Sequence, residues 1–365
     1  MNWQSSSSYF LKSFEDLTDY ENIAGTAEPK LKKIIERHPL RISSYYANLI
    51  NWDDPDDPLK KMVVPSLHEL NLSGSYDTSG EQSNTKLAGL QHKYSQTALI
   101  IATNNCASYC RFCFRKRLVG LNSDEVVKKF EDTVGYIKKH KEINNVLVSG
   151  GDPLILKTKW INKFLRLLSD INHLDFIRIG SKVPIYLPHR ILDDQELLNV
   201  LDKYSLPNRR LYIVTQINHP REITDKLVQV ISQLQRRNII INNQTVLMKD
   251  INDEAEVMAK LQNRLVAIGI NPYYVFQCRP VKRVKKYFQV PLFKGYNLIE
   301  EAKKLMNGHS KRFKYIMSHK KGKIETMGIQ NNRIYFKFHQ AMNPRNLGKF
   351  FSRKLDKSAG WLDEL

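Results

Sequence analysis

Cysteine is scarce in this sequence, with four in 365 residues, too few and too unevenly spread for a disulfide framework. Long apolar runs are lacking too: no stretch reaches the roughly 20 residues that a membrane-spanning helix needs. The opening MNWQSSSSYFLKSFEDL has no basic segment leading into a long apolar one, so neither secretion nor a membrane span is expected. Acidic residues are in deficit, 37 Asp and Glu against 57 Lys and Arg, for a formal charge of +20. That surplus favours anionic partners such as phosphate-bearing cofactors, carboxylates, acidic proteins or RNA. A lysine-rich solvated surface would give the same total, and the missing aromatic-and-basic repeat weighs against nucleic acid. The remainder, 42% hydrophobic and 10% aromatic, can build a core, and the length suits one barrel-type α/β domain with decorated ends.

Three of the four cysteines fall in Thr103–Gly120, TNNCASYCRFCFRKRLVG, as Cys106, Cys110 and Cys113. Zinc ordinarily wants a fourth protein ligand, whereas an iron–sulfur cube on three cysteines leaves one iron open for a small molecule. A structural zinc knuckle or three incidental thiols is the blander alternative. An oxygen-sensitive cluster needs a reducing compartment, so the cytoplasm is expected. With Tyr109 before Cys110 and Phe112 before Cys113, the stretch resembles the signature of radical S-adenosylmethionine (SAM) enzymes.

From Ala98 onward short apolar strands alternate with amphipathic helices. Strands are expected at Ala98–Thr103, Asn145–Ser149, Ile177–Gly180, Leu211–Thr215, Ile239–Gln244 and Pro272–Gln277. Helices are expected at Asp124–Lys139, Lys159–Leu168, Asp194–Lys203, Thr224–Arg237, Glu254–Ile268 and Asn297–Met306. Six such units predict an α/β fold, a partial (β/α)6 barrel, with a doubly wound open sheet as the alternative. The cysteine turn then falls at the C-terminal rim, where such barrels place their chemistry. Residues 1–86 form a partly helical lead-in, with a loose Met1–Gly25, a helix over Pro29–His38, turns at Asp53–Pro58 and a polar loop at Gly74–Asn84. Residues 87–308 form the core barrel, and 309–365 a C-terminal extension with a basic tail at Lys349–Lys357.

Every predicted strand ends in polar residues. Ser149, Gly150, Gly151 and Asp152 follow the second; paired glycines let backbone approach a ligand closely, though a plain tight turn reads the same way. Beside the cysteines, this turn resembles the segment by which radical SAM enzymes grip the methionine end of SAM. His219 after the fourth strand suits cofactor or substrate contact, or a hydrogen-bonded structural role. Gln244 ends the fifth, and Cys278 reads as a pocket thiol.

Taken together, SSYYANLI, DDPDDPLKKMVVPS, GLQHKY, CASYCRFCFRKR, VSGGDPL, IRIGSKVPI, INHPREIT, NQTVLMKDIND and PYYVFQC resemble the lysine 2,3-aminomutase (KamA) family over about Ile42 to Tyr335. The resemblance implies a radical SAM barrel and a C-terminal extension of the type that binds pyridoxal phosphate (PLP). It implies a [4Fe–4S] cluster on Cys106, Cys110 and Cys113, with SAM at the open iron; His219 and Gln244, from their places at strand ends, are candidate cofactor contacts. The electron comes from a donor such as flavodoxin or ferredoxin. It further implies PLP carried on a lysine, for which Lys323 is the candidate and a solvated loop lysine the alternative. The phosphate-binding arginines of the family fall at Lys93 and Thr97. Arg115 matches the arginine that pairs with the substrate carboxylate. Where lysine enzymes hold the distant ammonium with an aspartate, this chain has Arg279, which would repel it. The expectation is an aminomutase for an amino acid with an anionic or neutral distal end, not free lysine, with self-assembly into an oligomer left open. The alternatives are a PLP-free radical SAM enzyme acting on protein or RNA, and an iron–sulfur protein that binds RNA or an acidic protein.

Overall fold

The computed structural model describes residues 10–13 and 28–365. Of the Met1–Gly25 lead-in, Phe10–Leu11 (β1) pairs antiparallel with Ile42–Ser43 (β2), and most of the rest lies outside the described residues. Helix α1 (Glu28–Arg37) buries Leu31 and Ile34, one helical turn apart, against the core.

One sheet of twelve strands organises the chain, and its spatial order is its sequence order. It opens with the antiparallel strands β3 (Thr85–Leu87) and β4 (Leu90–Tyr94). Seven parallel strands follow: β5 (Thr97–Thr103), β6 (Asn145–Gly150), β7 (Phe176–Gly180), β8 (Leu211–Thr215), β9 (Ile240–Leu247), β10 (Asn271–Gln277) and β11 (Lys314–His319). It closes with the antiparallel β12 (Gly322–Gln330), β13 (Arg333–Ala341) and β14 (Phe350–Lys354). Crossover helices α2 (Phe130–Lys139), α3 (Thr158–Ser169), α4 (Gln195–Tyr204), α5 (Asp225–Gln235), α6 (Ala255–Ala267) and α7 (Leu292–Lys304) link the parallel strands. Runs such as TALIIAT and LYIVT are apolar almost throughout because a parallel sheet of this kind is covered on both faces. Among the described residues no helix is long and apolar enough to cross a membrane.

The six expected strands form, each within a few residues of its expected bounds, as the partial (β/α)6 barrel. Three details differ. Helix α2 begins at Phe130 rather than Asp124, because the Val127 amide donates to Ile101 O at 2.9 Å and draws that backbone out of helical register. Helix α7 begins at Leu292, directly after Pro291, rather than at Asn297. The parallel sheet also runs on past residue 308: KYIMSH, short and flanked by basic residues, forms β11 against β10.

The lead-in clasps the rim of the barrel. Asp57 caps the helix Pro58–Val63 and accepts from Arg221 Nη1 at 2.6 Å, while Tyr46 Oη donates to Glu222 Oε1 at 3.0 Å. Buried Asn243 on β9 ties the same rim, donating to Ile217 O and accepting from Ile217 N.

At the ends of β5 and β6 the chain is packed backbone to backbone. Gly151 N donates to Thr103 O at 2.6 Å and Asp152 N to Asn105 O at 2.7 Å. Gly150 has φ +114°, and a Cβ there would lie 2.3 Å from Thr103 O; one on Gly151 would lie 2.1 Å from Asn105 O. A Gly150→Ala substitution should therefore cost on the order of 2 kcal/mol, read as a lowered urea midpoint. A midpoint unchanged from wild type would show that the turn can relax.

Candidate active site

The cysteine segment has no helix or strand of its own and is held from outside. Tyr109 N donates to Arg41 O and Arg111 N to Met62 O, each at 2.8 Å. Buried Glu69 accepts from Arg111 Nε at 2.7 Å and Nη2 at 2.6 Å, and from Lys116 Nζ. So held, Cys106, Cys110 and Cys113 face one cavity of about 320 Å³ at the C-terminal ends of the strands. Burial pushes the Cys106 thiol up, and burial with the neighbouring Cys110 pushes Cys113 up to about 11. A thiol ionises when a metal takes the place of its proton, which fits three that face one space to a cluster. Tyr186 Oη stands 3.2 Å from Cys110 Sγ, and Lys182 Nζ 3.7 Å from it.

Ser149, Gly150, Gly151, Asp152 and Gln244 all line this cavity. Asp152 is turned mainly to its own scaffold: Oδ1 accepts from Ser181 Oγ at 2.7 Å and Leu154 N at 3.1 Å, and Oδ2 from the amides of Lys182 and Val183 at 2.6 and 3.0 Å. Burial pushes its carboxyl up to about 6 against those bonds. It locks the β6 turn to the β7 turn.

Cations dominate the opposite wall. Lys323 on β12 is cross-strand from Ser318 on β11 and Gln340 on β13, and all three line the cavity. Its ammonium lies 4.8 Å from the centre of the Tyr274 ring. Burial, then Arg178, Arg279 and Lys93, lower its pKa to about 7. Arg178 on β7 donates Nη2 to Asn145 Oδ1, and its buried Nε has no hydrogen-bond partner among the described residues. Arg279 is held by Ser79 Oγ and Ser318 Oγ, each at 2.9 Å, with its Cζ 4.0 Å from the Phe114 ring centre. Lys93 Nζ donates to Ser79 O at 2.9 Å and His319 O at 2.7 Å, and burial followed by Arg279 brings it down to about 8.

Arg115 is buried against Glu81, donating Nη2 to Oε1 at 2.9 Å and Nε at 3.1 Å, with Nη1 3.2 Å from Gly150 O. Arg117 Nη2 reaches the other carboxylate oxygen at 2.8 Å. Burial raises the Glu81 carboxyl, but Arg115, Arg117 and Arg279 outweigh it and hold it at about 2.

The structure thus gathers Cys106, Cys110, Cys113, Ser149, Gly150, Gly151, Asp152, Gln244, Lys93, Arg115, Arg279 and Lys323 around one space. His219 is not among the residues lining it; its Nδ1 accepts from Arg221 N at 3.2 Å, capping a short turn, and burial followed by Arg221 lowers its pKa to about 4. Cys278 does line the cavity, and burial pushes its thiol up to about 12. Sequence reasoning missed Glu81, Arg178 and Tyr186 and marked Lys182 only as one of the polar residues that follow a strand. Arg178 lies in the quoted IRIGSKVPI run, where strand alternation could have marked it; Lys182 lies past the end of that strand, and Glu81 opens a single helical turn, Glu81–Asn84, within the stretch expected as a polar loop.

The model of the radical SAM superfamily matches residues 100–262. A chain of Aquifex aeolicus bearing a provisional L-lysine 2,3-aminomutase name is 41% identical across 97% of this chain and 95% of its own length. The L-lysine 2,3-aminomutase of Clostridium subterminale is 32% identical across 82% of this chain and 71% of its own. The glutamate 2,3-aminomutase of Clostridioides difficile is 33% identical across 76% and 65%. Identity of this extent, in a chain whose three clustered thiols open onto a shared cavity at the strand ends, means that the protein belongs to the radical SAM enzymes of the lysine 2,3-aminomutase family.

Proposed function

We propose that the protein is a PLP-dependent 2,3-aminomutase whose substrate is an amino acid with an anionic distal group. When bound, SAM on the cluster supplies a hydrogen-abstracting radical and PLP supplies a conjugated system for the unpaired electron. The protein's task is to hold both, exclude water and choose the substrate.

The observation that carries this reading is the charge of the cavity wall. Lys93, Arg115, Arg178, Lys182, Arg279 and Lys323 face it, against the carboxylates of Glu81 and Asp152, and Asp152 is occupied by backbone amides. Anionic groups are what such a wall attracts. Lys323 fits the cofactor lysine because burial and its cationic neighbours bring its pKa to about 7, so that a substantial fraction of the amine is neutral, and hence nucleophilic, near neutral pH. For the phosphate, Lys93 is already bonded to two carbonyls, and Thr97 Oγ1 donates to Asn145 Oδ1 at 3.3 Å. The phosphate therefore falls to Arg178, whose Nε is without a hydrogen-bond partner among the described residues, with Lys93 adding charge. Arg115 is one candidate for the α-carboxylate, in which case Glu81 shares its guanidinium. Arg279, braced by two serines, meets the distal group and repels an ammonium. The glutamate 2,3-aminomutase among the relatives is consistent with such a substrate.

Two outcomes follow. PLP loading, followed by the visible absorption of its linkage to the protein, should rise with pH through about 7 and be abolished in Lys323→Ala. In Arg178→Ala the midpoint should move to higher pH, since one cation beside the amine is gone; an unmoved midpoint would refute the electrostatic account. Arg279→Asp should shift turnover from glutamate toward lysine by at least about tenfold, measured by mass spectrometry of the β-amino products under anaerobic conditions. An unchanged ratio would remove Arg279 from substrate selection.

A further inference from the structure

We propose that His92, His140 and Glu142 form a second metal site, on the outer face of the barrel, for a divalent transition metal of the zinc class. His92 lies on β4 between Gln91 and Lys93, which line the cavity. Its ring is turned away from the cavity onto α2, edge-on to Tyr136 and His140. His140 is the C-cap of α2, and Glu142 follows in the next turn. The three residues bring one ligand atom each to within 4.8 Å of one another. Two imidazoles and a carboxylate form a donor set suited to zinc.

The hydrogen bonds around His92 point to a ligand. Its Nε2 lies 3.1 Å from Ser95 O. A carbonyl only accepts, so Nε2 carries the hydrogen and the Nδ1 lone pair accepts from Tyr136 Oη at 3.1 Å, a bond that the metal would take over. An imidazole that donates its far N–H to a backbone carbonyl is oriented as metal-bound histidines are. Ring packing orders the group further: Tyr136 stacks on His140 at 4.0 Å, and His92 meets His140 edge-on at 5.6 Å. The His140 Nδ1 to Glu142 Oε1 distance of 2.9 Å already gathers the remaining two donors. A metal held here would clip α2 to β4, and so brace the strand that carries Lys93 into the cavity. Nothing in this depends on the identity of the substrate or on PLP.

The test is anaerobic calorimetric titration of zinc into the cluster-loaded protein, alongside His140→Ala and Glu142→Gln, whose partly exposed positions can be changed without opening the core. One zinc per chain should bind. Each substitution should weaken it by at least about tenfold, and zinc should raise the thermal midpoint of wild type but not of His140→Ala. Cobalt at the site should show the spectrum of nitrogen and oxygen ligands. Equal zinc affinity in wild type and both variants, binding at millimolar concentration only, or thiolate charge-transfer bands from cobalt in the cluster-loaded protein would each overturn the proposal.

Discussion

A single buried carboxylate, Glu69, holds the chemistry of this protein in place. Both its oxygens are engaged by Arg111, which lies between Cys110 and Cys113, and by Lys116, three residues beyond Cys113. Arg111 Nη1 also donates to His38 O and Pro39 O, each at 3.1 Å, tying the lead-in to the same knot. Burial alone would raise the Glu69 carboxyl; the two cations outweigh it and hold it below its ordinary value. Burial lowers Lys116 to about 8, which still leaves it charged near neutrality. Removing one partner of such a buried set costs about 3–5 kcal/mol, because the others are left uncompensated. A cysteine loop without regular structure can thus present three thiols in a fixed arrangement.

The cavity behind those thiols is governed by an excess of positive charge. Its effect appears in opposite directions on two groups: Glu81 is held ionised down to about pH 2, while Lys323 gives up its proton near pH 7. Burial opposes ionisation in both cases: for Glu81 the neighbouring guanidiniums outweigh it, while for Lys323 burial is the larger cause and Arg178, Arg279 and Lys93 act with it. The last parallel strand β11 and the antiparallel β12 and β13 beside it supply the wall that carries Lys323, so the C-terminal segment completes the barrel mouth.

Much of this was legible in the sequence because it rests on local signals. The spacing of Cys106, Cys110 and Cys113, the glycines at 150 and 151, and the alternation of apolar strands with helical stretches need no tertiary information. What escaped is set by contacts distant in the chain. Glu81 acquires a role only when its loop is folded over Arg115, 34 residues away. The start of α2 is decided by the bond from Val127 to Ile101. His219, singled out in the sequence by its place at a strand end, is a cap on the rim, and no local pattern separates the two roles.

As a radical SAM enzyme the chain uses a [4Fe–4S] cluster and SAM, and we propose that Cys106, Cys110 and Cys113 hold the cluster. The most direct test is to reconstitute the protein with iron and sulfide without oxygen, reduce it, and follow SAM. The account predicts reductive cleavage to methionine and 5′-deoxyadenosine, lost on changing any one of the three cysteines to alanine and kept in Cys278→Ala. Intact SAM, or zinc in place of iron at the three thiols, would contradict it.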